Sequence, residues 1–196
     1  MKISQLHINK IFISLSLVAI AVSGCNKLHN DVQFGGSNEF TPMSNSEEWQ
    51  VIRVSDGDTI VVRQMDGREK KLRFCGIDAN ESKQEGGQEA KAYLKKLLDQ
   101  TEGRVMITPV DTDRYNRTVA EVFTSLKDGS EQFIQEEMLK AGMARAYPQY
   151  ISSCPNKDAI LKAEQIGKQN RVGIWANPNS IPPWEWRKKE RQSRGN

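Results

Sequence analysis

Histidine is scarce in this 196-residue chain: His7 and His29 are the only two, and both precede the region patterned as a folded domain. The three cysteines, Cys25, Cys75 and Cys154, have no zinc-ligand spacing. Together these shortages exclude a zinc centre, which needs clustered imidazole or thiolate ligands. Long apolar runs are missing too. The longest, Ile11 to Val22, is about twelve residues, where a membrane-spanning helix needs roughly twenty. Charge of one sign is not in excess. The formal net charge is +3, and without Lys2 and Lys10 of the N-terminal segment it falls to about +1. Bulk basicity therefore identifies no polyanionic partner, and any such affinity must come from local clusters. No internal repeat is apparent.

What is present begins with an export pattern. Residues 1–24 combine a basic start, a short apolar run and small residues ahead of a cysteine, the layout of a secretory signal. The ending Val22-Ser23-Gly24-Cys25 resembles a bacterial lipoprotein box. That resemblance implies cleavage before Cys25, lipidation of Cys25, and a membrane-anchored protein facing the periplasm or the cell exterior. An ordinary secretory signal with an incidental cysteine, or an uncleaved anchor, fits the same residues. Residues 25–47, rich in Asn, Ser and Gly, read as a flexible tether. Export leaves Cys75 and Cys154 as an even pair, either a disulfide or two buried thiols.

Residues 48–177 carry steady apolar periodicity, enough chain for one core. Trp49 to Val54, Thr59 to Arg63 and Glu69 to Cys75 pattern as three strands of a meander, turning at Asp56-Gly57 and Asp66-Gly67. In the third strand Leu72 and Phe74 share the core face, so Arg73 points away from it. A loop then leads to a helix over about 88–100, whose stripe is Ala90, Tyr93, Leu94, Leu97 and Leu98. Two further strands, Arg104 to Val110 and Thr118 to Phe123, flank the turn DRYNR. A second helix is expected over 131–141 with Ser130 as cap and Gly142 as stop, and a third opens at Asn156 or Asp158. The economical fold is β-rich α+β: a five-stranded OB-type barrel with three helices, closed so that no edge strand is left bare. Residues 178–196, a tail with Trp184, Trp186 and five cations, could pack back through its tryptophans or bind phosphate or anionic lipid, and is expected to be solvated beyond Arg187.

The residues able to do chemistry cluster between Asp56 and Glu81. Asp58 follows a glycine in a tight turn, and Asp78 and Glu81 flank a loop start. Carboxylate and carbonyl oxygens suit Ca²⁺ or Mg²⁺. Arg73 and Arg117 could grip a phosphodiester by forked hydrogen bonds, which lysine cannot reproduce. Taken singly, each has a plain alternative: a surface turn for Asp58, a solvated strand for Arg73, a loop charge for Arg117.

In order, DGDT, LRFCGIDANE, DRYNR and GIW resemble the staphylococcal nuclease family across about Val51 to Trp175. The resemblance implies the barrel just described and a calcium-dependent endonuclease. Such an enzyme would hydrolyse phosphodiester bonds of DNA and RNA and leave 3′-phosphate ends. By position, Asp58, Asp78 and the Ala79 carbonyl would hold one Ca²⁺, and Glu81 would orient or deprotonate the attacking water. Arg73 and Arg117 would hold the phosphate, while Arg114 and Tyr115 would meet a terminal nucleotide phosphate. The chain departs from the family pattern at Asn80, where a proline is common, and at Asn116, where glycine is usual. Glu85 is a spare acid nearby, and Tyr147 and Tyr150 could stack on a base. The rival readings are a catalytically inactive OB-fold module that binds nucleic acid or protein, and a structural envelope lipoprotein. With no association stripe visible, a monomer is the default.

Overall fold

Short, β-branched strands joined by Gly-bearing turns dominate the first half of the folded chain, and they close on one another. The structure, a computed structural model, describes residues 46–195. The lipidation candidate Cys25, the signal segment and most of the tether lie outside the described residues. Strands β1 (Glu47–Val54), β2 (Thr59–Arg63) and β3 (Glu69–Phe74) form the expected antiparallel meander. Strand β5 (Arg104–Thr112) pairs antiparallel with β1, and β6 (Thr118–Ser125) with β5. A parallel pairing of β3 with β6, Leu72 opposite Thr118, closes the circuit into a five-stranded barrel. Closure leaves the barrel strands without a free edge. Leu72 and Phe74 are buried in the barrel core with Ile60, Val62, Val105, Ile107, Ala120 and Val122.

Three short strands, none of them expected as strand, add a second ribbon and a sixth strand beside the barrel. β4 (Ile77–Ala79) pairs with β8 (Ala144–Ala146), placing Asp78 opposite Arg145. β7 (Glu131–Phe133) extends β6, so the second helix, α2, is shorter than predicted, Ile134–Lys140. The cause is local. Phe133 stacks on Phe123 with ring centroids 4.8 Å apart, and Ser130 spends its N–H and hydroxyl on Asp128 Oδ1 rather than capping a helix. Helix α1 (Gly87–Asp99) buries Ala90, Leu94, Leu97 and Leu98, as its stripe requires. Helix α3 (Lys157–Asn170) begins after Asn156, whose amide donates to the buried Glu121 instead of capping.

Cys75, just after β3, and Cys154, just before α3, are joined by a disulfide with Cα atoms 5.8 Å apart. A fourth helix, α4 (Pro183–Arg194), corrects the expectation of three helices, while the tail packs back through Trp184 and is largely exposed beyond Arg187 as expected. Proline opens it at a position where a missing N–H does no harm. Its outer residues past Glu190 are exposed, but its first turn and Arg187 face the domain. Among the described residues, no helix is long and apolar enough to cross a membrane.

Candidate active site

Asp58 is placed by the turn between β1 and β2. Asp56 Oδ1 accepts the Asp58 N–H at 3.1 Å, and the Asp58 carbonyl accepts the Phe74 N–H at 2.9 Å. Gly57 lets this turn press onto the domain, because a Cβ there would lie 2.7 Å from Ala79 Cβ and 2.8 Å from Ala90 Cβ. Asp58 Oδ2 in turn accepts the Ala79 N–H at 2.6 Å. The DGDT turn and the start of β4 are thereby locked together.

Arg73 leaves the barrel core as alternation predicts, yet it is not solvated. Its side chain is only 12% exposed, with Nη1 2.6 Å from Asp58 Oδ2 and Nη2 donating to Asp78 Oδ1 at 2.7 Å. Nη1 lies within ion-pair distance of Asp58 and is buried, though not aligned as a hydrogen bond. Burial pushes the Asp58 carboxyl up, to about 8, against the opposing pull of Arg73. Asp78 is buried on β4.

Glu81 stands at the mouth of the following loop, 36% exposed. Gly87 allows the loop to fold tightly back, since a Cβ there would overlap the Glu81 carbonyl at 1.9 Å. Asn80, where the family favours proline, is buried and donates through Nδ2 to the Glu85 carbonyl at 2.7 Å. A side-chain hydrogen bond thus braces the loop that a fixed φ would otherwise brace.

Sequence reasoning missed Arg187. From α4 its guanidinium forks onto Asp78, with Nη1 to Oδ1 at 3.1 Å and Nη2 to Oδ2 at 2.7 Å, and Nη1 also reaches Glu81 Oε1 at 2.7 Å. These two carboxylates raise the Arg187 pKa although burial opposes them. The segment leading to α4 is held by Gln84 Nε2 on the Ile181 carbonyl at 2.9 Å, and by Arg145 Nη2 on the Ser180 carbonyl at 2.9 Å. Trp184 stacks on Tyr147 at 5.3 Å and 6°. That stacking occupies one face of the tyrosine suggested for base stacking; Tyr150 meets Tyr147 edge-on at 4.9 Å. The aromatic residues and paired prolines ahead of Arg187 were the available signal, but nothing in spacing ties residue 187 to residue 78.

Asp58, Arg73, Asp78 and Glu81 therefore gather at one site, stitched by Arg73 and Arg187. Arg117 has its ion pair elsewhere, on Asp113. It begins the approach to β6 beside β3, and its Nε donates to Asp113 Oδ2 at 2.7 Å. Although burial opposes it, hydrogen bonds from Arg117 and Tyr115 hold Asp113 below the usual carboxylate range. Asn116 takes φ 59° in this turn, the left-handed geometry that asparagine tolerates in place of glycine. Arg114 lies over the ring of the exposed Tyr115 at 4.9 Å.

Among the described residues, no three acidic, histidine or cysteine side chains stand together as a ready metal cage. The donor set still fits a hard cation. With all three carboxylates counted as ionised, as a bound cation requires, they face two guanidinium groups for a formal charge of −1, and the second of those cations, Arg187, comes from α4. Oxygen donors short of positive charge are what Ca²⁺ takes.

A staphylococcal nuclease homologue family model matches residues 71–177, which leaves Asp58 and α4 outside the matched stretch. The chain is 36% identical over 143 residues to an uncharacterized endonuclease of Haemophilus influenzae, covering 72% of this chain and 74% of that protein. It is 35% identical over 143 residues to a micrococcal nuclease of Shigella flexneri, covering 71% and 79%. To a protein named ParB of Escherichia coli it is 32% identical over 149 residues, covering 74% and 81%. With the closed barrel and its gathered acids and arginines, these matches establish that the chain belongs to the staphylococcal nuclease homologue family.

Proposed function

We propose that this protein is a calcium-dependent endonuclease that hydrolyses phosphodiester bonds of DNA and RNA and leaves 3′-phosphate ends. The observation that carries the reading is the gathering of Asp58, Arg73, Asp78 and Glu81 at one end of the barrel, with Arg73 nearly buried. Asp58, Asp78 and the Ala79 carbonyl would hold a single Ca²⁺, which when bound supplies charge stabilisation to the reacting phosphate. Glu81, half-exposed at the loop mouth, accepts a proton from the water that attacks phosphorus. Arg73, held between Asp58 and Asp78, donates to a phosphoryl oxygen once substrate is bound, where negative charge builds in the transition state. Arg117, now on Asp113, reaches the same phosphate and donates to the departing 5′ oxygen once substrate is bound. Arg114 and Tyr115, on the exposed turn, meet a terminal nucleotide phosphate. The Val22-Ser23-Gly24-Cys25 sequence supports a lipid anchor at Cys25 and an exported, membrane-tethered monomer.

Incubation of the purified protein with plasmid DNA or RNA, with Ca²⁺ or with chelator, tests this reading. The expected outcome is cutting with Ca²⁺, none with chelator, and 3′-phosphates on the mapped ends. Retardation of nucleic acid without cutting would instead make the protein a binding module.

A further inference from the structure

A calcium ion and α4 would compete for the carboxylate oxygens of Asp78. Asp78 Oδ2 accepts from Arg187 Nη2, Asp78 Oδ1 accepts from both Arg73 and Arg187, and Glu81 Oε1 accepts from Arg187. A cation from the chain's own C-terminal helix thus lies across two of the three carboxylates that the proposed reaction needs. We propose that α4 is an internal cationic plug: Arg187 occupies the place of the divalent ion, and calcium must displace it to assemble the site. This rests on the assignment of Asp58 and Asp78 as metal carboxylates.

Charge balance favours exchange over joint occupancy. With every carboxylate ionised, Asp58, Asp78 and Glu81 with Arg73 and Arg187 have a formal sum of −1. Calcium added beside both arginines would bring the site to +1, with the ion against a guanidinium in a partly buried space. Calcium in place of Arg187 brings it to zero, and like charges crowded in low dielectric repel strongly.

The helix is built to leave. Its anchor lies upstream, where Gln84 holds Ile181 and Arg145 holds Ser180, so the segment at 180–181 stays docked. Past that point Pro183 is the helix's sole buried residue. Trp184 on Tyr147 and the Arg187 fork fasten the rest to the domain. Release of α4 with Trp184 as well as Arg187 would also free the Tyr147 face for a base, coupling metal entry to substrate access.

A plug in place nine parts in ten lowers the apparent calcium affinity about tenfold relative to an open site. Calorimetric titration of Ca²⁺ into the full chain, without nucleic acid, reads this directly. Arg187→Gln should bind calcium about tenfold or more tightly than the natural chain. Arg187→Lys, whose point charge cannot fork across both carboxylates, should fall between. In the natural chain, calcium should also speed cleavage at Lys188 and Lys189 by a lysine-specific protease, and Asp78→Asn should abolish that response. Equal or weaker calcium binding by a folded Arg187→Gln protein overturns the plug while leaving the metal site standing. If none of these proteins takes up calcium, the metal assignment fails and the plug falls with it.

Discussion

Arg73 is the residue in which strand geometry and chemistry meet. Alternation along β3 sends it out of the barrel, and two carboxylates then receive it in a site that water hardly reaches. Its planar guanidinium bridges Asp58 and Asp78, one terminal nitrogen to each. Arg73→Lys should therefore keep the positive charge but lose the fork. We expect about a hundredfold drop in cleavage rate, near 3 kcal/mol of transition-state stabilisation, with a melting temperature close to that of the natural chain. A single-turnover assay beside a thermal melt checks both parts. Near-natural cutting by this variant would remove Arg73 from the phosphate. Arg73, Asp58, Asp78 and Glu81 were all legible as candidates because their spacing from turns and strand ends is local. Arg187 was not, since only folding brings it to Asp78.

At the scale of elements, close approach decides what the site looks like. The β1–β2 turn contacts β4 and α1 through Gly57, where no side chain fits between Ala79 and Ala90. Gly57→Ala should force these elements apart and cost about 1–3 kcal/mol. Because Asp58 follows directly, the displacement should also weaken calcium binding; denaturant unfolding and metal titration on one preparation measure the two effects. The loop after β4 depends on Asn80 in a similar way. Asn80→Ala removes its hydrogen bond to the Glu85 carbonyl, with an expected loss of about 1 kcal/mol of stability and a lower cleavage rate through a less well held Glu81. An unchanged rate would mean that Gly87 and Gln84 alone fix the loop. The helix predicted over 131–141 lost its first turn to β7 for an element-level reason. Phe133 gains more by stacking on Phe123 in the sheet than by opening a helix.

For the whole molecule, the disulfide ties the barrel to the helical layer. Cys75 follows β3, Cys154 precedes α3, and 79 positions separate them. Replacing both by alanine should lower stability by on the order of 4 kcal/mol in the chain-entropy view, read from urea midpoints, without moving the residues of the site. The meander, the helix stripes and the candidate acids and arginines at turns and strand ends were legible in local periodicity, turn chemistry and the ordered family motifs, which the sequence carries by itself. Barrel closure through the β3–β6 pairing, the ribbon that sets Asp78 opposite Arg145, and the return of α4 to the carboxylates were decided only in three dimensions. The reason is physical: periodicity specifies which face a residue takes, whereas contacts between residues 78 and 187 depend on how separately stable pieces pack.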